Sequence, residues 1–243
     1  MLFSPYSFSR MSTFESCPKK FEFSYILKPP IEQKPQIALN KGSYIHHCLE
    51  LYPTKPSEFF TLNEQQIEEY NDIIKNYLNS EVSINILSEI NIGKEIDFGL
   101  TKDFKMCSFN DKSALMRGSI DRLNMYGNNQ DKLHVVDYKS GKVKEEKWQS
   151  YKQVMLYAIW IFRNPIFNSV QEVKGSYVYV EHNVTNDKIF YRNELLDYIN
   201  EYIKTIKSIE HAGEINSFSK KETRLCDWCD YKTLCNELNL IFD

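Results

Sequence analysis

The apolar run Leu133 to Val136 ends in Asp137-Tyr138-Lys139 and passes at once into Ser140-Gly141, the pattern of a buried strand closed by a turn. Side chains alternate along a strand, so the Asp137 carboxylate and the Lys139 ammonium point to the same side of a sheet. One strand can then offer a metal ligand and a positive charge to the same phosphate. Upstream, Gly118-Ser119-Ile120-Asp121-Arg122 sets a second acid in another predicted strand, and Gly42-Ser43-Tyr44-Ile45-His46 supplies an imidazole. Two acids, a lysine and a histidine point to a hydrolytic metal site.

The surrounding pattern predicts the scaffold for these groups. Short helices interrupted at Pro18 are expected over residues 9–27, with Ser9 or Ser12 as N-caps, ending at Pro29-Pro30. Helical periodicity over 40–52 stops before Pro53 and places His46 and Glu50 on one face; 63–79 reads as a second amphipathic helix. Strands are expected at 92–100, 114–125 and 132–138, the last two joined at the turn signal Gly127-Asn128-Asn129. A helix over 145–163 halted before Pro165, a strand over 175–180 and a helix over 193–211 complete an α/β order of helix, strands, helix and strand. No internal repeat or long linker breaks the chain, so one domain spanning residues 1–243 is expected.

At 42% apolar residues the chain can bury a sizeable core, and its formal charge of −3 excludes a generally basic coat. Any nucleic-acid contact must use a local patch. No stretch approaches the roughly 18 or more apolar residues of a membrane span, and Met1 to Arg10 lacks the order of a signal peptide. The expectation is a cytoplasmic protein without a membrane partner, from a prokaryotic cell or from the host cytoplasm if phage-encoded. In that compartment thiols stay reduced, so Cys226-x2-Cys229-x5-Cys235, with Cys17 near the other end, raises metal ligation. Four thiolates accept zinc as readily as iron. Cys48 and Cys107 read as ordinary buried thiols.

Carboxylates hold Mg²⁺ or Mn²⁺, and an imidazole from a facing helix favours manganese. Asp121 and Asp137 from neighbouring strands can converge on one ion, with Lys139 beside it to orient water and stabilise developing negative charge.

Gly42-x3-His46, Gly118-x2-Asp121-Arg122, Asp137-Tyr138-Lys139-Ser140-Gly141 and Gln153-x3-Tyr157 follow one another in an order that resembles the RecB-like branch of the PD-(D/E)XK nuclease superfamily. The resemblance covers residues 9–235, and the cysteine arrangement is similar to that of its iron–sulphur members, AddB-type and CRISPR-associated exonucleases. It implies an αβββαβ restriction-endonuclease-like core with added N- and C-terminal helices joined by a four-cysteine cluster, residues 1–30 and 214–243 forming the staple. It implies His46, Asp121 and Asp137 as side-chain metal ligands, the Tyr138 carbonyl as a main-chain ligand, and Lys139 as the catalytic lysine. Gln153 and Tyr157 would flank the site, Cys17, Cys226, Cys229 and Cys235 would hold a [4Fe-4S] cluster, and DNA, single-stranded or with free ends, would be the substrate. Ile120 stands where the superfamily more often has proline before its first acid.

Several readings stay open. Arg122 can bind phosphate or pair structurally; Glu95 is a weaker candidate for a further acid, and Glu50 weaker still. Lys139, Lys142, Lys144 and Lys147 with Trp148 and Tyr151 read either as a phosphate-tracking rim or as a solvated turn. Lys19, Lys20, Lys220, Lys221 and Arg224 flank the cysteines. The nuclease reading competes with a non-catalytic DNA-binding scaffold and with a zinc-knot interaction module. No Gly-x4-Gly-Lys-Ser/Thr motif occurs, so a helicase or recombination motor would be a separate partner.

Overall fold

The computed structural model describes residues 2–31, 37–52, 62–127 and 131–240. Ser7, rather than Ser9 or Ser12, caps α1 (Phe8–Ser16), its side chain accepting from the Arg10 amide. Pro18 opens α2 (Pro18–Phe21), where its missing amide hydrogen costs nothing. A π-helical turn over Glu22–Leu27 closes at left-handed Lys28. Next come α3 (Ile37–Leu51), α4 (Glu64–Leu78) with an Asn63/Gln66 capping box, and α5 (Glu81–Ser88) capped by Ser80. The strands β1 (Ile90–Thr101), β2 (Met106–Cys107), β3 (Ala114–Tyr126) and β4 (Lys132–Lys139) follow. Then come α6 (Lys152–Arg163), β5 (Glu172–Tyr179), β6 (Val184–Tyr191), α7 (Leu195–Glu214) and α8 (Lys232–Leu240). Pro53 and the Asn128-Asn129 turn lie outside the described residues.

The strands form one six-stranded sheet in the order β2-β1-β3-β4-β5-β6. Every neighbouring pair is antiparallel except β4 and β5, which run parallel across the α6 crossover. The α3, β1, β3, β4, α6, β5 order is the expected αβββαβ core, with β2 and β6 added at the edges. The helix expected from residue 145 begins at Lys152 instead, after a 3-10 turn at Glu146–Trp148. Side-chain bonds account for the difference: Asn186 Nδ2 donates to the Lys144 carbonyl (2.9 Å), and Tyr179 donates its hydroxyl to Gln149 Oε1 (2.7 Å). These hold the segment against the sheet in a non-helical course.

The chain divides into two compact units, Ile37–Ile199 and the two terminal stretches Met1–Gln36 with Asn200–Asp243. In the first unit, Ile45 and Leu49 of α3, Tyr70, Ile74 and Tyr77 of α4, and Ile86 of α5 pack on Val136, Tyr138 and Val178 of the sheet. A buried polar chain runs along the same face. Arg122 Nε donates to Asn124 Oδ1 (2.9 Å), Asn124 Nδ2 to Glu89 Oε2 (2.9 Å), and His134 bridges Glu89 (2.8 Å) and Ser176 Oγ (2.7 Å). α6 covers the other face, with every residue from Val154 to Phe162 buried.

In the terminal unit, Phe21 is fully buried and stacks on Phe218, with ring centroids 6.1 Å apart. The Arg10 guanidinium lies 4.9 Å from the centre of the Tyr25 ring, and Tyr6 bonds to Glu210. Thr205 Oγ1 donates to Glu15 Oε1 (2.6 Å), tying α1 to α7. Among the described residues no helix is long and apolar enough to cross a membrane.

Gly118 tests the packing that supports the site. A β-carbon there would stand 2.5 Å from Phe98 Cζ, and the Phe98 ring lies edge-on to Tyr157 (6.0 Å). Gly118→Ala is expected to destabilise the protein by about 1–3 kcal/mol through overpacking. Chemical denaturation of the two proteins measures the difference.

Candidate active site

Register brings three acids into one row. β1 and β3 pair as Lys94 with Arg122 and Ile96 with Ile120, so Glu95 falls opposite Asp121. β3 and β4 pair up to Arg122 with Val136, and the next step of that register sets Asp121 opposite Asp137. Beyond Val136 the ladder changes character, because the Tyr138 amide donates to the Asp121 carboxylate (2.7 Å). A side chain takes the place of a strand carbonyl, and the acid is fixed at the point where the two strands part.

The Asp137 side chain is almost wholly buried and meets α6. Tyr157 donates its hydroxyl to Asp137 Oδ1 (3.2 Å), and Lys139 Nζ lies 2.5 Å from Asp137 Oδ2. The ammonium thus pairs with a buried carboxylate oxygen. Lys139 also donates to Gln153 Oε1 (2.9 Å), and Gln153 Nε2 donates to the Tyr157 oxygen (2.9 Å). Gln153 and Tyr157, one helical turn apart, thus connect the lysine to the acid from above. The Tyr177 ring lies beneath the ammonium, 5.1 Å from it. Burial pushes the Asp137 carboxyl up, and repulsion from Asp121 adds to this, while Lys139 opposes it.

His46 reaches the row from α3, with Nδ1 3.3 Å from Asp121 Oδ2. Burial alone would lower its pKa, but the bond and charge of Asp121, helped by Asp137 and Glu95, raise it above the ordinary histidine value. His46, Glu95 and Asp121 each present a ligand atom within 4.8 Å of the others. Glu95 takes a left-handed backbone (φ 46°), which a non-glycine residue adopts at a cost of about 1–3 kcal/mol. Its carboxyl is pushed up to about 7, first by lost hydration and then by repulsion from Asp121.

The other sequence candidates fall elsewhere. Arg122 is buried and bonded to Asn124, a structural role. Glu50 lies near His47 (3.3 Å), and its carbonyl accepts from Lys94 (2.7 Å). The Tyr138 side chain packs against Tyr77 on the opposite face, leaving its main chain between Asp137 and Lys139. Gly42 lets α3 approach the turn after β4, since a β-carbon there would stand 3.0 Å from Ser140 Oγ. Glu95, ranked low in the sequence, joins His46 and Asp121. Alternation in β1 could have placed it on the right face, but its turned backbone has no sequence signal.

Within the terminal unit, Cys17, Cys226, Cys229 and Cys235 line one cavity of about 260 Å³. Lys19, Lys20, Lys220, Lys221 and Lys232 surround it. Burial raises the Cys235 thiol; Lys220 draws it down, and the other three sulphurs push it up again. Lys220 also donates to the Cys235 carbonyl (2.7 Å).

Comparison with known proteins bears on this geometry. The sequence pattern of the PD-(D/E)XK nuclease superfamily matches residues 5–236. A crystal structure from Eubacterium rectale, named as a "putative exonuclease", superposes with a TM-score of 0.51 at 15% identity, covering 93% of this chain and 86% of that one. At that identity the likeness concerns the fold. No curated protein gives a significant match.

The crowding of acids has a measurable sign. Because the Glu95 pKa rises from 4.5 to about 7 on folding, its ionised form opposes folding; the penalty is absent below the lower value and complete above the upper one. With a chelator present, Glu95→Gln is expected to raise the melting midpoint at pH 8 by about 1–3 °C and to leave it unchanged at pH 4. Thermal unfolding at the two pH values measures it.

Proposed function

Because the chain belongs to the PD-(D/E)XK nuclease superfamily, we propose that it is a divalent-metal-dependent deoxyribonuclease of the RecB-like branch, acting as an exonuclease in DNA recombination, repair, CRISPR adaptation or phage DNA processing. The observation that carries this reading is the meeting of His46, Glu95 and Asp121 within 4.8 Å, beside the buried Asp137 carboxylate and its Lys139 partner. Hard carboxylates and one imidazole suit Mg²⁺ or Mn²⁺. His46, Glu95, Asp121 and Asp137, with the Tyr138 carbonyl, would hold the ion. When bound, it supplies hydroxide at neutral pH and neutralises charge on the scissile phosphate.

The chain's own groups do the rest. Lys139, held by Gln153 and stacked on Tyr177, places a fixed positive charge where negative charge develops on the phosphate, and orients the attacking water. Tyr157 and Gln153 keep Asp137 and Lys139 in register with each other. His46 must give up its proton to act as a ligand, so cation binding releases protons. The fold likeness to a protein named as an exonuclease is in keeping with this activity.

The cysteine cavity is assigned to a [4Fe-4S] cluster that staples the two ends of the chain. One cysteine near the amino end and three near the carboxyl end line the same cavity, an arrangement similar to that of the iron–sulphur nucleases, and this supports a cluster over zinc. The surrounding lysines offset its negative charge.

End-labelled single- and double-stranded DNA incubated with Mg²⁺, and separately with Mn²⁺, is expected to be degraded, and chelation to stop it. Asp137→Ala and Lys139→Ala are each expected to lower the rate by about 10²-fold or more with the circular dichroism spectrum unchanged. Wild-type activity in Asp137→Ala would sink the assignment. Anaerobically purified protein should be brown and bleach on reduction, and Cys226→Ser should lose the colour and some thermal stability. Colourless protein carrying one zinc per chain would reverse the cluster assignment.

A further inference from the structure

Trp148 is 73% exposed, yet the turn that bears it is firmly held. Its amide donates to the Glu145 carbonyl (2.9 Å), and the Gln149 amide to the Glu146 carbonyl (3.0 Å). Gln149 Oε1 accepts from the Tyr179 hydroxyl (2.7 Å), and Asn186 Nδ2 reaches the Lys144 carbonyl (2.9 Å). Tyr179 is the register partner of Lys139 across β4 and β5, so the turn is anchored at the same strand end as the candidate active site. On its other side Tyr151 stacks on Tyr177 (5.9 Å), the ring that carries the Lys139 ammonium.

An indole displayed to solvent on a braced turn offers a flat apolar ligand a fixed mounting, since little backbone freedom remains to be lost. The charges around it select which ligand. Lys142 and Lys144 are exposed on the same segment, and Lys147, though paired with Glu145 (2.8 Å), places its ammonium 5.8 Å from the centre of the Trp148 ring. A flat apolar face beside ammonium groups suits a base joined to a phosphate chain. Bases are free to stack on a side chain only where they are unpaired.

We propose that Trp148 is a stacking platform for an unpaired base of the bound strand and gives the protein a preference for single-stranded nucleic acid. Lys142 and Lys144 bind the adjoining phosphates. The inference rests on the nuclease reading for the placing of the strand across Lys139; the platform itself stands on the geometry of the turn.

Fluorescence anisotropy with labelled oligo-dT and with a duplex of equal length, in a chelating buffer so that nothing is cut, tests it. Trp148→Ala is expected to weaken oligo-dT binding about tenfold or more and to leave duplex binding within about twofold, and Trp148→Phe to restore most of the loss. The combined Lys142→Ala, Lys144→Ala variant is expected to flatten the salt dependence by about one to two in slope, which Trp148→Ala leaves unchanged. Unaltered oligo-dT affinity in Trp148→Ala, or equal losses for oligo-dT and duplex, overturns the proposal. A parallel cleavage assay separates the two readings: binding through Trp148 without any cleavage by the wild-type protein removes the nuclease assignment and leaves the platform.

Discussion

The Tyr138 amide's bond to Asp121 Oδ2 is the contact on which the rest of the site depends. In a regular antiparallel ladder that amide would seek a carbonyl on the neighbouring strand. Here a carboxylate satisfies it, so β3 and β4 separate without leaving a buried donor unmet. The gap leaves room for a second acid, Asp137, and for His46 to reach in from the helix layer on the far side of the sheet. The same bond fixes the Asp121 carboxylate, leaving one of its oxygens committed and the other available. Strand geometry, the placing of His46 beside Asp121 and the orientation of Lys139 are therefore set together.

The site holds its charges in tension. Three acids lie across adjacent strands, and the two cationic partners, His46 and Lys139, do not satisfy them all. Burial and mutual repulsion raise Asp137 and Glu95, while His46 is raised by the same acids that crowd it. Glu95 adds a strained backbone to this. Such an arrangement costs the fold stability, and under the proposed function a divalent cation would relieve it through charge neutralisation and ligand bonding. Marginal stability given up at the site is balanced by the large apolar layers on both faces of the sheet.

Much of this was legible in the chain because it depends on local periodicity. The strand ending at Lys139, the acid in β3, the helix bearing His46 and the spacing of Gln153 and Tyr157 all follow from alternation or from helical repeat. Other features of the fold carry no such signal. β6, with its Asn186, Asp187 and Lys188, is an edge strand whose only fully covered side chain is Phe190, so no apolar alternation announces it. α5 buries only Ser83 and Ile86 and is too short for its repeat to stand out. The late start of α6 is decided by Asn186 and Tyr179, residues far along the chain, which no local reading of 145–151 can supply. Glu95 is displaced from obscurity by a backbone angle rather than by its type.

The terminal unit carries a consequence for how the protein is made. Its sulphur-lined cavity needs Cys17 from the beginning of the chain and Cys235 from near the end. During synthesis the stretch from Ile37 to Ile199 emerges complete while the partners of Cys17 are still untranslated, so the sheet can fold before the termini meet. Cys17 must wait for residues 226–235, and Phe21 for Phe218, before this half can close. Assembly of this half is thereby later than that of the sheet, because its cavity closes only when Cys226, Cys229 and Cys235 reach Cys17.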